Sequence, residues 1–562
     1  MKQINLRYLF TAAVILTAAI LSYSQSSLPN FDRPHDFDAK HYLINTTFDQ
    51  KSKSITGETT VTLQPTKNDF NVVNLDAVGL KISRVTIEPS GNTLNYVTKA
   101  NGTVSIQLDR TYSTTETLSI RLVYTASPKK GIYFVEADED HSAQIWTQGE
   151  PDEARHWFPS FDFPSDKATT EQILTVDKNQ TVIANGDFLG KKDESNGKVT
   201  WHFKMPVPHS VYLVSFIVGE YSRIDDTRGP VPMAFYTYPG RETIARAAFD
   251  RTADMIATFE RLTGVKFPFN KYDQTVVANF QFGGMENITA TTYADQEIFF
   301  YDTDFGKPLV TDLVSHELAH SWFGNLVTCN NWAELWLNEG FATFMEAAYR
   351  EAAFGRENYI AKIRSDAGSF LMKDIVTNRR HGLYNLRAGE VEKLFDDSSV
   401  TYSKGGVVLH MLREEIGNEA FWNGVNLYLN RHRLGNVRTT DLISAMEQAS
   451  GKKLDWFFDQ WVFKSGAPRI TIVPTYSAKN QSLTVSIAQT QKEDAIVPAA
   501  FRFPLSLAIK TSKGVIRKDV NITKRSELFS VKLPARPVTL EVDDDMKVPL
   551  KTVKLQKIKQ VK

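Results

Sequence analysis

The segment His316-Glu317-Leu318-Ala319-His320 places two imidazoles four positions apart with a glutamate between them. On a helix, residues i and i+4 share one face with their Cβ atoms about 5–6 Å apart. Two imidazoles in that arrangement can reach one Zn²⁺ at about 2.0–2.1 Å. Glu317 then lies beside the metal, where its carboxylate can take a proton from bound water. The pattern predicts a catalytic metal site rather than two histidines on a solvated helix face.

A catalytic zinc site takes three protein ligands and keeps one position open for water. Glu339 follows His320 in the segment that begins a second predicted helix, which runs to Gly355. A short connection between antiparallel helices brings such a glutamate back to the histidines. We therefore predict that His316, His320 and Glu339 bind one Zn²⁺ per chain, with Glu317 as general base.

The second predicted helix also supplies candidates for orienting a ligating histidine. Glu346 lies two helical turns beyond Glu339 on the same face, where its carboxylate could accept a hydrogen bond from the free ring N–H. Asn338 is the alternative candidate for this role.

The predicted secondary structure changes along the chain from β to α and back to β. Short alternating runs broken by Gly, Asn and Pro fill residues 25–230 and predict a β-rich sandwich or saddle-like sheet. Helical spacing dominates residues 231–466, which contain the metal motif. Alternation returns in residues 467–562, enough for a small β-sandwich. The sequence thus predicts an α+β multidomain protein with a β domain on either side of a mostly α catalytic domain.

The N-terminus has the pattern of a secretion signal. Lys2 and Arg7 precede an apolar run from Leu9 to Leu21, and its length of about 13 residues fits the apolar region of a signal peptide. We predict that residues 1–24 are cleaved, which gives a secreted or periplasmic protein without stable membrane insertion. The alternative is an uncleaved N-terminal membrane anchor, although a spanning helix needs about 20 apolar residues.

Composition excludes several classes of protein. Hydrophobic residues make up 42% and charged residues 23% of the 562 residues, which is ordinary globular composition. Lys plus Arg and Asp plus Glu are 65 each, so the chain has no basic excess that would attract nucleic acid. The single cysteine, Cys329, excludes an intrachain disulfide. Composition leaves the oligomeric state open.

Several blocks around the metal motif resemble the gluzincin zinc aminopeptidase family, which contains aminopeptidase N and leukotriene hydrolase. They occur in the family's order along most of the chain. The blocks are His41-Tyr42-Leu43, Thr56-Gly57-Glu58, Thr147-Gln148-Gly149-Glu150-Pro151, Phe158-Pro159-Ser160-Phe161-Asp162-Phe163-Pro164, Phe267-Pro268-Phe269, Gly283-Gly284-Met285-Glu286-Asn287, Tyr402-Ser403-Lys404-Gly405 and Phe457-Phe458-Asp459-Gln460-Trp461.

The resemblance implies a thermolysin-like catalytic domain and roles that spacing alone does not supply. Glu286 is expected to bind the free α-ammonium of a peptide, with Glu150 as a second carboxylate on that group. Tyr402 is expected to donate its hydroxyl to the oxyanion. The other implied substrate-binding residues are Gly283 and Gly284, which allow the peptide backbone to approach, and Gln148 in the first side-chain pocket.

The activity implied by the resemblance is hydrolysis of N-terminal residues from peptides with a free N-terminus. Two alternatives stay open: a zinc endopeptidase, and a catalytically silent scaffold of the same fold. The leukotriene hydrolase branch has an Asp and a Tyr where this chain has Leu394 and Asp397, which argues against epoxide hydrolysis. Larger members end in a long helical domain. Since this chain stops near the end of the β-sandwich, we expect a more open cleft or one covered by another subunit.

Overall fold

The computed structural model describes residues 29–376, 381–542 and 546–561. The predicted signal segment, residues 1–24, lies outside this part of the chain, so its cleavage stays a prediction. Within the described ranges, none of the helices combines the length and the apolar character that crossing a membrane requires.

A large mixed sheet dominates the N-terminal part. Along Phe37–Asp49 and Ser54–Pro65 buried and more exposed positions alternate, since successive side chains of a strand point to opposite faces. Phe37–Asp49 pairs in parallel with Ala168–Asp177 and antiparallel with Ser54–Pro65. In spatial order the strands are Asp187–Asp193, Lys198–His209, Ala168–Asp177, Phe37–Asp49, Ser54–Pro65, Leu118–Ala126, Lys81–Glu88 and Asn92–Thr93.

Two smaller sheets complete this β-rich part, which encloses its own apolar core. One has the order Thr181–Ala184, Phe216–Gly219, Gln144–Thr147 and Ile132–Val135, and the other Phe70–Asp76, Thr103–Tyr112 and Asn95–Thr98.

A five-stranded sheet begins the part that carries the metal motif. Its order is Ser222–Asp226, Met233–Thr237, Tyr272–Val277, Ala290–Ala294 and Gly284–Met285. Ser222–Asp226 pairs antiparallel with Met233–Thr237, so this sheet extends across the domain boundary predicted at residue 230. The boundary stays a prediction, and the pairing favours a position nearer Gly219.

Most of the helices follow this sheet in sequence. They are α1 (Glu242–Phe249), α2 (Thr252–Thr263), α3 (Asp295–Phe299), α4 (Gly306–Ala319), α5 (Trp336–Phe354), α6 (Arg356–Val376), α7 (Gly405–Ile416), α8 (Asn418–Arg431), α9 (Thr439–Ser450) and α10 (Asp455–Phe458). Shorter helical turns are Ala154–His156, Val211–Leu213, Phe300–Asp302, Trp332–Glu334, Val391–Lys393, Ser399–Lys404 and Asp459–Phe463.

Helices α4 and α5 form the centre of the helical part. Residues Trp336 to Tyr349 of α5 are all buried, as expected for a helix surrounded by protein rather than lying on a surface. Gly340 of α5 touches Gly405 of α7, and a Cβ on Gly340 would lie 3.0 Å from the Cα of Gly405. The two glycines therefore let these helices approach closely.

Two more sheets form the C-terminal part, as the returning alternation predicts. Their apolar residues belong to the same continuous core as those of the helices, and Nε2 of His410 donates a hydrogen bond to the carbonyl of Met546 at 2.6 Å. The strands are Arg469–Ser477, Ser482–Gln489, Ser526–Lys532, Thr552–Leu555 and Lys559–Val561 in one sheet and Phe503–Thr511, Gly514–Ile522 and Pro537–Val542 in the other. A small two-stranded sheet, Thr328–Cys329 with Asn436–Val437, lies among the helices.

Candidate metal and substrate site

His316, His320 and Glu339 come together where α4 meets the first turn of α5. Oε2 of Glu339 lies 3.3 Å from Nε2 of His316 and 3.4 Å from Nε2 of His320. Zinc–ligand distances of about 2.0–2.2 Å in a tetrahedral site put neighbouring ligand atoms about 3.3 Å apart. The three ligand atoms lie within 4.8 Å of one another, so the group fits a single cation with two nitrogen donors and one oxygen donor.

The other nitrogen of each imidazole has its own acceptor. Nδ1 of His316 donates to Oε1 of Glu346 at 2.8 Å, and Nδ1 of His320 donates to the carbonyl of Phe323 at 2.8 Å. Because both acceptors take the proton on Nδ1, the lone pair of each neutral ring is on Nε2, facing Glu339. Glu346 therefore occupies the orienting position that helical spacing predicts.

Asn338 makes different contacts from those predicted for it. Its Oδ1 accepts the backbone N–H of Cys329 at 3.1 Å, and its Nδ2 lies 3.4 Å from the hydroxyl of Tyr212. Asn338 immediately precedes Glu339, so helical geometry turns its side chain about 100° away from the metal ligands. Through Cys329 it holds the connection between α4 and α5, and its hydrogen bonds within the described part of the chain do not include an imidazole.

Glu317 lies against the strand Gly284–Met285 at the edge of the five-stranded sheet. Its Oε2 is buried and has no hydrogen-bond partner among the described residues. Burial raises the pKa of Glu317 to about 8, although the two histidines oppose the shift. A Cβ on Gly284 would overlap the carboxyl group of Glu317. The glycine at this position therefore makes room for the acid.

Since Glu317 is the predicted general base, we expect Gly284→Ala to lower kcat by about 10²-fold, the usual cost of displacing a catalytic group by about 1 Å. The overlap is with the end of a flexible side chain, so Glu317 moves while the fold is kept. Steady-state kinetics together with thermal unfolding measures both effects. Gly368→Ala is the control, since a Cβ there meets nothing within 4 Å. Wild-type kcat in Gly284→Ala would contradict the placement of Glu317.

Two further carboxylates, those of Glu150 and Glu286, converge beside the His-His-Glu group. Each brings an oxygen within 4.8 Å of the other's and of one on Glu339. Oε1 of Glu150 and Oε1 of Glu286 are both buried without a hydrogen-bond partner in the described part of the chain. Burial raises the pKa of both groups, and the neighbouring carboxylates add to the shift of Glu150. Buried acids of this kind are stabilised by a cation placed between them.

The elements around these acids hold them in place. Asn325 donates from its Nδ2 to the carbonyl of Glu286 at 2.9 Å, and Gln148 donates from its Nε2 to the carbonyl of Glu150 at 3.3 Å. The carbonyl of Gly283 accepts the backbone N–H of Ala294 at 3.0 Å, which anchors the glycine segment to the sheet.

Tyr402 lies beside the His-His-Glu group, next to His316. It belongs to the helical turn Ser399–Lys404, and its ring lies parallel to that of His316 with 5.9 Å between the ring centroids. Burial raises the pKa of Tyr402 well above its usual value, and nearby carboxylates including Glu339 and Glu150 add to the shift. The phenol therefore stays protonated and able to donate.

A single cavity of about 520 Å³ unites these groups. Apolar side chains, among them Phe282, Phe395, Leu309 and Leu313, line it together with the polar ones. The cavity also contacts all the site residues that the sequence predicts except Asn338: Gln148, Glu150, Gly283, Gly284, Glu286, His316, Glu317, His320, Glu339, Glu346 and Tyr402.

Sequence reasoning missed several residues that shape the site. The carbonyl of Phe323 and the side chain of Asn325 follow His320 closely, and the end of α4 at Ala319 is the signal that could have identified this turn. Lys362 and Phe395, which also line the cavity, come from separate segments. No spacing rule relates these two residues to the metal motif.

Comparisons with known proteins agree with this geometry. The Peptidase M1 N-terminal domain matches residues 38–213, and the Peptidase family M1 domain matches residues 247–461. The chain is similar to aminopeptidase 2 of Candida albicans, with 27% identity over 94% of this chain and 57% of that protein. It is also similar to aminopeptidase N of Streptomyces lividans, with 31% identity over 72% of this chain and 49% of that protein. The chain thus spans about half the length of these relatives.

The fold and a His-His-Glu group able to bind a metal define a protein of the gluzincin type. The two matched domains follow one another along the chain, and both belong to one family. The chain belongs to peptidase family M1, which confirms the family that the sequence blocks indicate.

Proposed function

We propose that this protein is a zinc aminopeptidase that removes N-terminal residues from peptides. The observation that carries the proposal is the pair of unpartnered, buried carboxylate oxygens on Glu150 and Glu286 beside the His-His-Glu group. A peptide's free α-ammonium supplies the missing positive charge and hydrogen-bond donors. The aminopeptidase names of the relatives support the same activity.

His316, His320 and Glu339 would hold the zinc ion. When bound, zinc supplies Lewis acidity, which polarises the scissile carbonyl and makes water a stronger acid. Glu317 accepts a proton from the attacking water at its unpartnered Oε2 and transfers it to the leaving amine. Tyr402 donates its O–H to the carbonyl oxygen as negative charge develops there.

Glu150 and Glu286 set where the peptide is cut. Accepting the ammonium fixes the first residue of the substrate relative to Glu317, and orientation of this kind lowers the entropic part of the barrier. A blocked N-terminus leaves these acids buried without a partner, which is costly. This cost favours an aminopeptidase over a zinc endopeptidase. We also propose that residues 1–24 are a signal peptide that is cleaved during export of the protein.

Aminoacyl anilides with free and acetylated N-termini test the proposal. We expect the zinc-loaded protein to release the anilide only from the free form. A chelator should abolish release, and added zinc should restore it. Equal turnover of the acetylated substrate would favour the endopeptidase. Absence of both metal uptake and turnover would leave the silent scaffold.

A further inference from the structure

A buried group of charges lies behind His316, on the side away from Glu339. Nζ of Lys362 in α6 lies 2.9 Å from Oε2 of Glu346 and 2.8 Å from Oδ1 of Asp366. The side chains of Lys362, Glu346 and Asp366 are each 11% exposed. A lysine is rarely buried to this degree unless it is paired, and its contacts with the two acids account for its burial.

The two carboxylate oxygens of Glu346 contact two different partners. Oε1 accepts the ring N–H of His316, while Oε2 faces the ammonium of Lys362. Ionised partners make such contacts stronger than neutral hydrogen bonds. With both oxygens held, the carboxylate cannot rotate away from the imidazole, although its terminal torsion is otherwise soft. The chain of contacts runs from α6 through α5 to α4.

We propose that Lys362 is a positioning residue for the metal site. Held by Asp366, it fixes Glu346 so that Nε2 of His316 faces Glu339. This inference rests on the proposed zinc site. Burial by itself lowers the pKa of Lys362, but Glu346 and Asp366 outweigh that effect and raise it. The side chain is therefore a permanent cation next to Glu346.

A purely structural role would be to hold α5 and α6 together. Other contacts join these two helices: the rings of Phe344 in α5 and Tyr359 in α6 meet edge to face with 6.5 Å between their centroids, and Nη1 of Arg356 in α6 lies 2.9 Å from Oε1 of Glu351 in α5. Helix packing therefore has support of its own, and the two roles predict different results. Only the positioning role makes zinc affinity depend on Lys362 through Glu346.

The test measures zinc affinity of the full chain by competition with a chelator of known affinity. We expect Lys362→Met to weaken zinc binding by about 10–100-fold, the usual effect of losing a partner behind a metal ligand. Lys362→Arg should recover most of it. Lys271→Met is the matched control, since Lys271 is also buried, 16% exposed, and lies 2.7 Å from Asp273. Its zinc affinity should equal that of the wild type.

Two further variants separate positioning from folding. In a Glu346→Gln background, Lys362→Met should cause little further loss. Asp366→Asn keeps the lysine and should weaken zinc binding less than Lys362→Met does, which provides a second measurement if the methionine variant does not fold. Thermal unfolding of the metal-free proteins shows which variants are folded.

The outcomes distinguish the two proposals. Wild-type protein that takes up no zinc would overturn the proposed function itself. Normal zinc uptake by the wild type with unchanged affinity in Lys362→Met would overturn the role of Lys362 alone. So would an equal loss in Lys271→Met, because the effect would then be general destabilisation.

Discussion

Replacing Glu317 with glutamine should lower kcat by about 10²–10⁴-fold, the contribution of a positioned general base. The amide has the shape of the acid but cannot accept a proton at the position of the buried, unpartnered Oε2. Since Glu317 is not a member of the group formed by His316, His320 and Glu339, the zinc content should be unchanged. Steady-state kinetics and metal analysis of the same preparation measure both quantities.

Glu419→Gln is the control for this experiment, because Glu419 is exposed on α8 and should leave kcat unchanged. A Glu317→Gln protein with normal zinc content and wild-type kcat would contradict proton transfer by this residue. Loss of zinc along with activity would instead assign Glu317 to metal binding.

Replacing Glu286 with glutamine should lower kcat/KM for substrates with a free N-terminus by about 10²-fold to 4 × 10³-fold. Removing one member of a buried ion pair costs about 3–5 kcal/mol, and each 1.4 kcal/mol is about tenfold. Glutamine keeps the shape of Glu286 but not the charge that the ammonium needs. Glu150→Gln should act in the same direction, because its carboxylate converges on the same point.

A substrate analogue without the α-amino group identifies the cause of this loss. We expect wild type and Glu286→Gln to turn over the analogue at similar, low rates, since neither protein can form the ion pair. Oε1 of Glu286 also lies 4.0 Å from Nδ1 of His320. An equal loss on both substrates would therefore mean that Glu286 acts through the metal ligands instead of the ammonium.

Helical periodicity predicted that the two imidazoles share a face, and the short connection between two helices predicted that Glu339 lies next to them; the structure brings the three side chains together. Positions i and i+4 share a face on any helix, so the pairing of His316 with His320 follows from the sequence. Glu346 is seven positions beyond Glu339, which is close to two full turns, and it contacts His316 as predicted. Asn338 failed in this role because a shift of one residue turns a side chain by about 100°.

Helical periodicity could not predict contacts between segments that are far apart in the sequence. The roles expected for Glu150, Glu286 and Tyr402 came from family resemblance, since these residues lie in separate loops and helical turns with no common period. The strand Ser222–Asp226 looks like its predecessors in sequence, yet it pairs with Met233–Thr237 across the predicted boundary. Strand pairing depends on partners elsewhere in the chain, which local alternation does not specify.

By itself, the sequence determined the metal-binding pattern, the order of β, α and β parts, and the family, because each depends on local spacing or on contiguous blocks. Only the tertiary structure decided which carboxylate oxygens stay without a partner, how Gly284 makes room for Glu317, and that Lys362 lies behind Glu346. These features arise where separate elements pack together, and packing is set by the shapes and charges of side chains far apart along the chain.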